Sequence, residues 1–153
     1  MKDFHTLIIE ETSKTPHVEL NPLTGDFIFS GRSIPENAAK TYEPILNWVN
    51  EYILHARPTT NLRLNLEFFN TSSSLWLAKI FKVLAKINDP DYVLIFHLYL
   101  PIEEFDDLKE FEDIKDAFFP IADVIQFAIP SIGIKLYGRN EADQVIKDKL
   151  VFI

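Results

Sequence analysis

The sequence predicts an α/β protein of the α+β kind, with a single mixed β-sheet and its helices packed against it. Three stretches carry this expectation. The alternating runs His17–Asn21 and Asp26–Ser30 flank Pro22-Leu23-Thr24-Gly25, with Pro and Gly placed for the turn of a β-hairpin. Asn61 to Ile87 reads as strand, polar turn and helix. Tyr92 to Leu100 is apolar nearly throughout, as expected of an interior strand covered on both faces. A hairpin followed by alternating helices and strands places one layer of each element type together.

The elements can be justified in order. Thr6 to Glu11, with Leu7, Ile8 and Ile9, is a short strand, and Thr12 to Pro16 breaks it. After the hairpin, Gly31 ends the second strand. Ser33-Ile34-Pro35-Glu36 has the form of a capping box, in which a hydroxyl and a Glu three residues later satisfy two orphan donors. Tyr42, Leu46, Val49 and Ile53 then form the apolar stripe of a helix. Pro44 inside it removes a hydrogen bond, at about 3 kcal/mol in an isolated helix, and predicts a kink or a break. Arg57 to Thr60 connects to the next strand.

In that strand Leu62, Leu64, Leu66 and Phe68 alternate with Arg63, Asn65 and Glu67, the pattern of a half-buried strand. Leu77, Ile80, Phe81, Leu84 and Ile87 follow at helical spacing. Asn88 to Asp91 is a turn, and Pro101 closes the Tyr92–Leu100 strand. Glu103 to Asp113 threads Phe105, Leu108 and Phe111 through many acids, so an amphipathic helix with a solvated acidic face is expected. Beyond Pro120, residues 124–129 and 132–137 read as strands. Gly138–Asn140 reads as a turn, Glu141–Lys147 as a short helix and Leu150–Ile153 as an apolar tail.

Composition narrows the function classes. The 153 residues suit one domain, spanning 1–153, with a sizeable core. Zero cysteines exclude disulfides and thiolate metal sites. No signal peptide or stretch of transmembrane length is visible, which predicts a cytoplasmic protein. A formal charge of −8 argues against nucleic acid or an anionic membrane as the main partner. His5, His17, His55 and His97 are scattered without metal-ligand spacing, and His97 reads as a satisfied core histidine. There is no G-x-S-x-G elbow, P-loop, G-x-G-x-x-G or calcium loop. Neither a catalytic residue, a metal nor a cofactor is therefore expected.

The candidate site is the run Asn70, Thr71, Ser72, Ser73 and Ser74 between the central strand and its helix. Asn, Ser and Thr are favoured N-caps, and one or two need no further role. Five in a row exceed what a cap requires. They lie where orphan backbone N–H groups and the positive end of the helix dipole favour an anion. Use of these hydroxyls by a small hydrolase or transferase is a further reading, which needs a base within reach of Thr71 or Ser72.

Thr15-Pro16, Gly31-x-Ser33-x-Pro35-Glu36-Asn37-Ala38, Tyr42, Pro44, Trp48, Tyr52 and Phe69-Asn70-Thr71-Ser72-Ser73-Ser74 together resemble the SiaC family of small bacterial regulatory phosphoproteins. The resemblance is strongest over residues 7–100. It implies a fold similar to STAS domains, the anti-sigma-factor-antagonist type, and a non-enzymatic role in c-di-GMP signalling. It also implies phosphorylation by a dedicated Ser/Thr protein kinase and dephosphorylation by a PP2C-type phosphatase. The unphosphorylated form would bind and activate a diguanylate cyclase. By motif position the acceptor falls on Thr71, with Ser72 and Ser73 as alternatives, and Asn70 to Ser74 form the switch surface. A STAS-like antagonist acting on an anti-sigma factor shares this switch with a different partner. The chain departs from the family pattern at Leu75, where a basic residue is expected, and from Pro101 onward, where no family motif is recognisable.

Overall fold

Seven strands form one mixed sheet in simple sequential order: β1 (Leu7–Ile9), β2 (His17–Leu20), β3 (Asp26–Ser33), β4 (Thr59–Phe69), β5 (Val93–Pro101), β6 (Ser131–Arg139) and β7 (Val145–Phe152). This is a computed structural model, and it describes residues 4–109, 113 and 125–152. Strands β3 to β6 run parallel to one another, while β1, β2 and β7 are antiparallel to their neighbours. Helix α1 (Ala38–Tyr52) joins β3 to β4 and helix α2 (Thr71–Leu84) joins β4 to β5. A short helix α3 (Ile102–Asp107) follows β5 directly.

Cross-strand register puts the apolar residues in rows. Leu20, Phe27, Leu62, Phe96 and Ile134 lie side by side, and so do Val18, Phe29, Leu64, Leu98 and Leu136. Both rows belong to one cluster with Tyr42, Ile45, Val49 and Tyr52 of α1 and Leu77, Ile80, Phe81 and Leu84 of α2. The other face of the sheet carries Arg63, His97 and Lys135 in register, polar side chains that no helix of the described residues covers. Among the described residues two layers result, and β5, expected to be covered on both faces, meets helices on only one.

Several family-motif residues prove to be anchors of α1. Trp48 stacks on Tyr52 and on Phe4, and meets Phe27 edge-on, with its Nε1 donating to the His5 carbonyl at 2.8 Å. The Tyr52 hydroxyl lies 2.8 Å from Thr60 Oγ1 and accepts from the Arg57 N–H, which fixes the turn into β4. At the hairpin, Gly25 has φ +76°, and a Cβ there would meet the Thr59 carbonyl oxygen at 2.4 Å. Only glycine fits, because both the left-handed backbone and the close approach exclude a side chain.

The structure corrects several expectations. β3 does not end at Gly31: the chain bulges between Gly31 and Arg32 and pairs on to Ser33. The helix does not start at Ser33. Pro35 holds Ile34 out of the helical region, and the cap is Asn37, whose side chain accepts from the Lys40 N–H at 3.2 Å. Glu36 turns away to pair with Lys14. Pro44 does not divide the helix, which runs unbroken from Ala38 to Tyr52. Four fully buried side chains, Tyr42, Ile45, Val49 and Tyr52, each contribute about 1.5–3 kcal/mol, more together than one missing hydrogen bond costs. The stripe therefore uses Ile45 and Tyr52, with Leu46 and Ile53 only partly buried.

Differences also collect toward the C-terminus. The acidic helix is helical over Ile102–Asp107 and leaves that conformation at Leu108; residues 110–112 of the expected stretch lie outside the described residues. Of the strand expected at 124–129, residue 124 lies outside them too, and 125–129 form no strand. β6 runs through Gly138 to Arg139. The expected helix at 141–147 is instead a turn, closed by Asn140 Oδ1 accepting from the Ala142 and Gln144 N–H groups, followed by the start of β7 at Val145. Of the expected apolar tail, residues 150–152 end the edge strand β7, and residue 153 lies outside the described residues.

Candidate functional site

The hydroxyl run opens α2 at the C-terminal end of the central parallel strand. Asn70 is the cap, with extended backbone at φ −87°, ψ 174°, and its Oδ1 accepts from the Ser73 N–H at 2.9 Å. The Asn70 N–H donates to the Ser33 carbonyl at 3.0 Å, and its Nδ2 reaches the Pro35 carbonyl at 3.4 Å. One residue thus caps α2 and ties it to the end of β3.

Ser73 makes the second tie. It is fully buried, and its hydroxyl donates to the Ser33 carbonyl at 2.8 Å while lying 2.7 Å from Ser33 Oγ. Ser33, also fully buried, meets the Tyr42 hydroxyl as well. A hydroxyl carries one proton. With the Ser73 proton given to the carbonyl, Ser33 must donate to Ser73, and Tyr42 must donate to Ser33. The result is a one-way chain from α1 through β3 to α2. It requires a neutral Tyr42, and burial pushes the pKa of that phenol up, opposed by its bonds to Ser33 and Ser73. A buried network with every donor used rigidifies the junction.

What remains of the run is free of these duties. Thr71 and Ser72 are exposed and Ser74 is partly so. Among the described residues, no side-chain partner is found for Thr71 or Ser72. The N–H groups of the first helical residues have no intrahelical acceptor. Around them the surface is unusually apolar: Phe68, Phe69 and Leu75 are 60%, 49% and 55% exposed. Arg32 lies 5.6 Å over the Phe68 ring and pairs with Glu67 at 3.6 Å.

This arrangement can accept an anion or a docking surface. Nucleophilic catalysis there would need a base, and no histidine or carboxylate of the described residues bonds a hydroxyl of 71–74. His97 sits on the far face of the sheet, with Nδ1 2.8 Å from the Tyr137 hydroxyl and Nε2 2.7 Å from Asn61 Oδ1. Burial, then the charges of Arg63 and Lys135, lower its pKa to about 4. It is a satisfied core histidine, as its apolar strand suggests. Among the described residues no three His, Cys, Asp or Glu side chains gather to hold a metal, and no helix is long and apolar enough to cross a membrane.

The sequence singles out the segment that opens α2 but does not rank its hydroxyls. The link between Ser33 and Ser73 joins residues forty apart in the chain, and no local signal reveals it. The exposed Phe68 and Phe69 were equally hidden, because alternation alone assigns Phe68 to the buried face.

Comparison with known proteins agrees with this geometry. The family model described as SiaC family regulatory phosphoprotein matches residues 9–125. The fold is similar to apo-SiaC from Pseudomonas aeruginosa, with a TM-score of 0.62 at 23% identity over 72% of this chain and 91% of that one. It is also similar to a chain in the structure of diguanylate cyclase SiaD in complex with its activator SiaC from the same organism, with a TM-score of 0.64 at 18% identity over 86% of this chain and 99% of that one. No curated protein matches. β6 and β7 lie beyond the matched family span. A sheet whose central strand delivers Phe69-Asn70-Thr71-Ser72-Ser73-Ser74 to a helix N-terminus, with the family match over most of the chain, makes this protein a member of the SiaC family of regulatory phosphoproteins.

Proposed function

We propose that this protein is a non-enzymatic switch whose output is binding: unphosphorylated, it engages and activates a diguanylate cyclase, and phosphate on Thr71 ends the contact. The observation that carries this reading is the division of labour at α2. Asn70 and Ser73 hold the junction, whereas Thr71 and Ser72 are exposed and, among the described residues, their side chains have no partner. Phosphate adds about −1.5 to −2 charges and three acceptor oxygens. At a helix N-terminus such an anion is stabilised by roughly 0.3–1 kcal/mol, so the fold tolerates it. A partner surface complementary to a neutral hydroxyl and to Phe68, Phe69 and Leu75 does not, because the buried charge would lack compensation. A Ser/Thr kinase and a PP2C-type phosphatase would set the state.

Thr71 is favoured over Ser72 by its motif position, and over Ser73 by exposure: a kinase reaching Ser73 would have to open the Tyr42–Ser33–Ser73 chain first. The test is incubation with the cognate kinase and ATP, followed by peptide mapping. Phosphate on Thr71, together with loss of cyclase binding and activation, is expected. Phosphate on Ser72 alone would move the acceptor while leaving the switch intact. If no hydroxyl of 71–74 is modified, the switch itself is refuted.

A further inference from the structure

The outward face of α2 is unlike the rest of the surface. From Phe68 to Asn88 the chain contains no Asp or Glu, in a protein whose formal charge is −8. After Thr71 and Ser72, the exposed residues up to Lys86 are Leu75, Lys79, Lys82 and Lys86, spaced by four, three and four, so they share one side of the helix. Opposite them Leu77, Ile80, Phe81 and Leu84 are buried. Lys79 is held in place, its Nζ 4.2 Å over the Trp76 ring, and Trp76 in turn stacks on Tyr42. The outer side of α1 gives the contrast: exposed Lys40 is followed by exposed Glu43 and Glu51, a mixture of signs. With Thr71 at its head and Leu75 one turn later, the α2 stripe extends about 22 Å at 1.5 Å per residue.

We infer that this stripe is the recognition surface for an acidic, apolar-centred face of the output protein, with Leu75 and the neighbouring Phe68 and Phe69 filling the apolar part and the lysines matching the acids. The inference rests on the switch reading only in placing the output partner at this end of α2. Charge complementarity decides the class of occupant, since an all-cation stripe on an otherwise acidic molecule repels basic surfaces and steers acidic ones into register. It also gives phosphate a second way to act. About two negative charges at the head of the stripe oppose the positive charges of Lys79 and Lys86, so association slows before contact is made. Leu75, where a basic residue is expected, keeps the head of the stripe apolar and leaves the cations farther along.

The test needs neither kinase nor cyclase. The probe is a synthetic amphipathic helix with Glu along one face and Leu beside it, titrated into the unmodified protein with amide shifts followed by NMR at low salt. Shifts should concentrate between Thr71 and Lys86, weaken as salt is added, and be absent with a Lys-faced version of the same peptide. Lys79→Glu combined with Lys86→Glu should weaken binding at least about tenfold, while Lys135→Glu on the helix-free face should leave it unchanged. Both altered lysines are exposed, and unaltered denaturation midpoints would establish that the variants remain folded. Binding insensitive to the double change, or shifts centred on Arg63 and Lys135, would overturn the inference. A missing phosphate on Thr71 would leave this result untouched and count only against the switch.

Discussion

The two long helices among the described residues begin in opposite ways. α1 follows the more persuasive start signal, Ser33-x-x-Glu36, yet neither residue caps it: Ser33 is buried at the end of β3 and Glu36 pairs with Lys14. Asn37 alone does the capping. α2 follows an apparent surplus of polar residues, of which Asn70 caps, Ser73 ties the helix to β3, and Thr71 and Ser72 are left over. At α1 the three polar residues of the start signal, Ser33, Glu36 and Asn37, are all taken up by structure. At α2 two are not, and these two face solvent beside exposed Phe69 and Leu75. The contrast teaches that a hydroxyl becomes a candidate for function when the fold has no use for it.

The largest expected effect separates buried from exposed hydroxyls. Ser73→Asp should destabilise the protein by about 3–5 kcal/mol, because it puts an unpaired charge where the hydroxyl relay closes. Thr71→Asp should shift stability by less than ~0.5 kcal/mol. Urea denaturation of the two variants side by side checks this, and equal midpoints would erase the distinction between them.

On the helix-free face, His97 extends the same contrast to a titratable group that structure has fully claimed. Its folded pKa, lowered to about 4, lies below the value of about 6.5 it takes when unfolded. The unfolded chain therefore binds the proton first. The contribution of neutral His97 is complete above the unfolded pKa and drains away as pH falls toward the folded one. Midpoints of the wild type should fall across that window more steeply than those of His97→Gln. Parallel curves would mean that His97 is not held neutral.

At the junction itself, Ser33→Ala should cost about 1–3 kcal/mol by leaving Tyr42 and Ser73 each short of a buried partner. Glu36→Ala, removing a fully solvated pair with Lys14, should leave the midpoint where it was. The opposite ranking would restore the capping box that the sequence suggests. Of the true caps, Asn70→Ala should cost more than Asn37→Ala within a range of about 0.5–2 kcal/mol, since Asn70 also holds the Pro35 carbonyl.

How much of this was legible follows from the range of each interaction. Hairpin, central strand, α2 and β5 were readable because period and turn chemistry are local, and Leu62, Leu77, Ile80 and Phe96 lie where their spacing puts them. The start of α1 was misread because parallel pairing with Phe68 and Phe69 extends β3 past its glycine. Residues 141–147 were misread as a helix because β7 depends on an existing β6, which local propensity does not contain. At the site, the excess of hydroxyls was visible. Which of them Ser33 would claim was not.

The smallest expected effect on stability tests the comparison most closely. Thr71→Ala removes a hydroxyl that, among the described residues, bonds to nothing, and alanine is at least as good a helix former at that position. Asn70 keeps its bond to the Ser73 N–H, and Ser73 keeps its bond to the Ser33 carbonyl. The midpoint should therefore move by no more than ~0.5 kcal/mol in either direction. Binding of the unphosphorylated protein to its partner should persist and become insensitive to kinase and ATP. A loss above about 1 kcal/mol would show that Thr71 belongs with Ser73 among the structural hydroxyls. In that event its exposure would no longer separate it from the rest of the run, and the acceptor would have to be sought at Ser72.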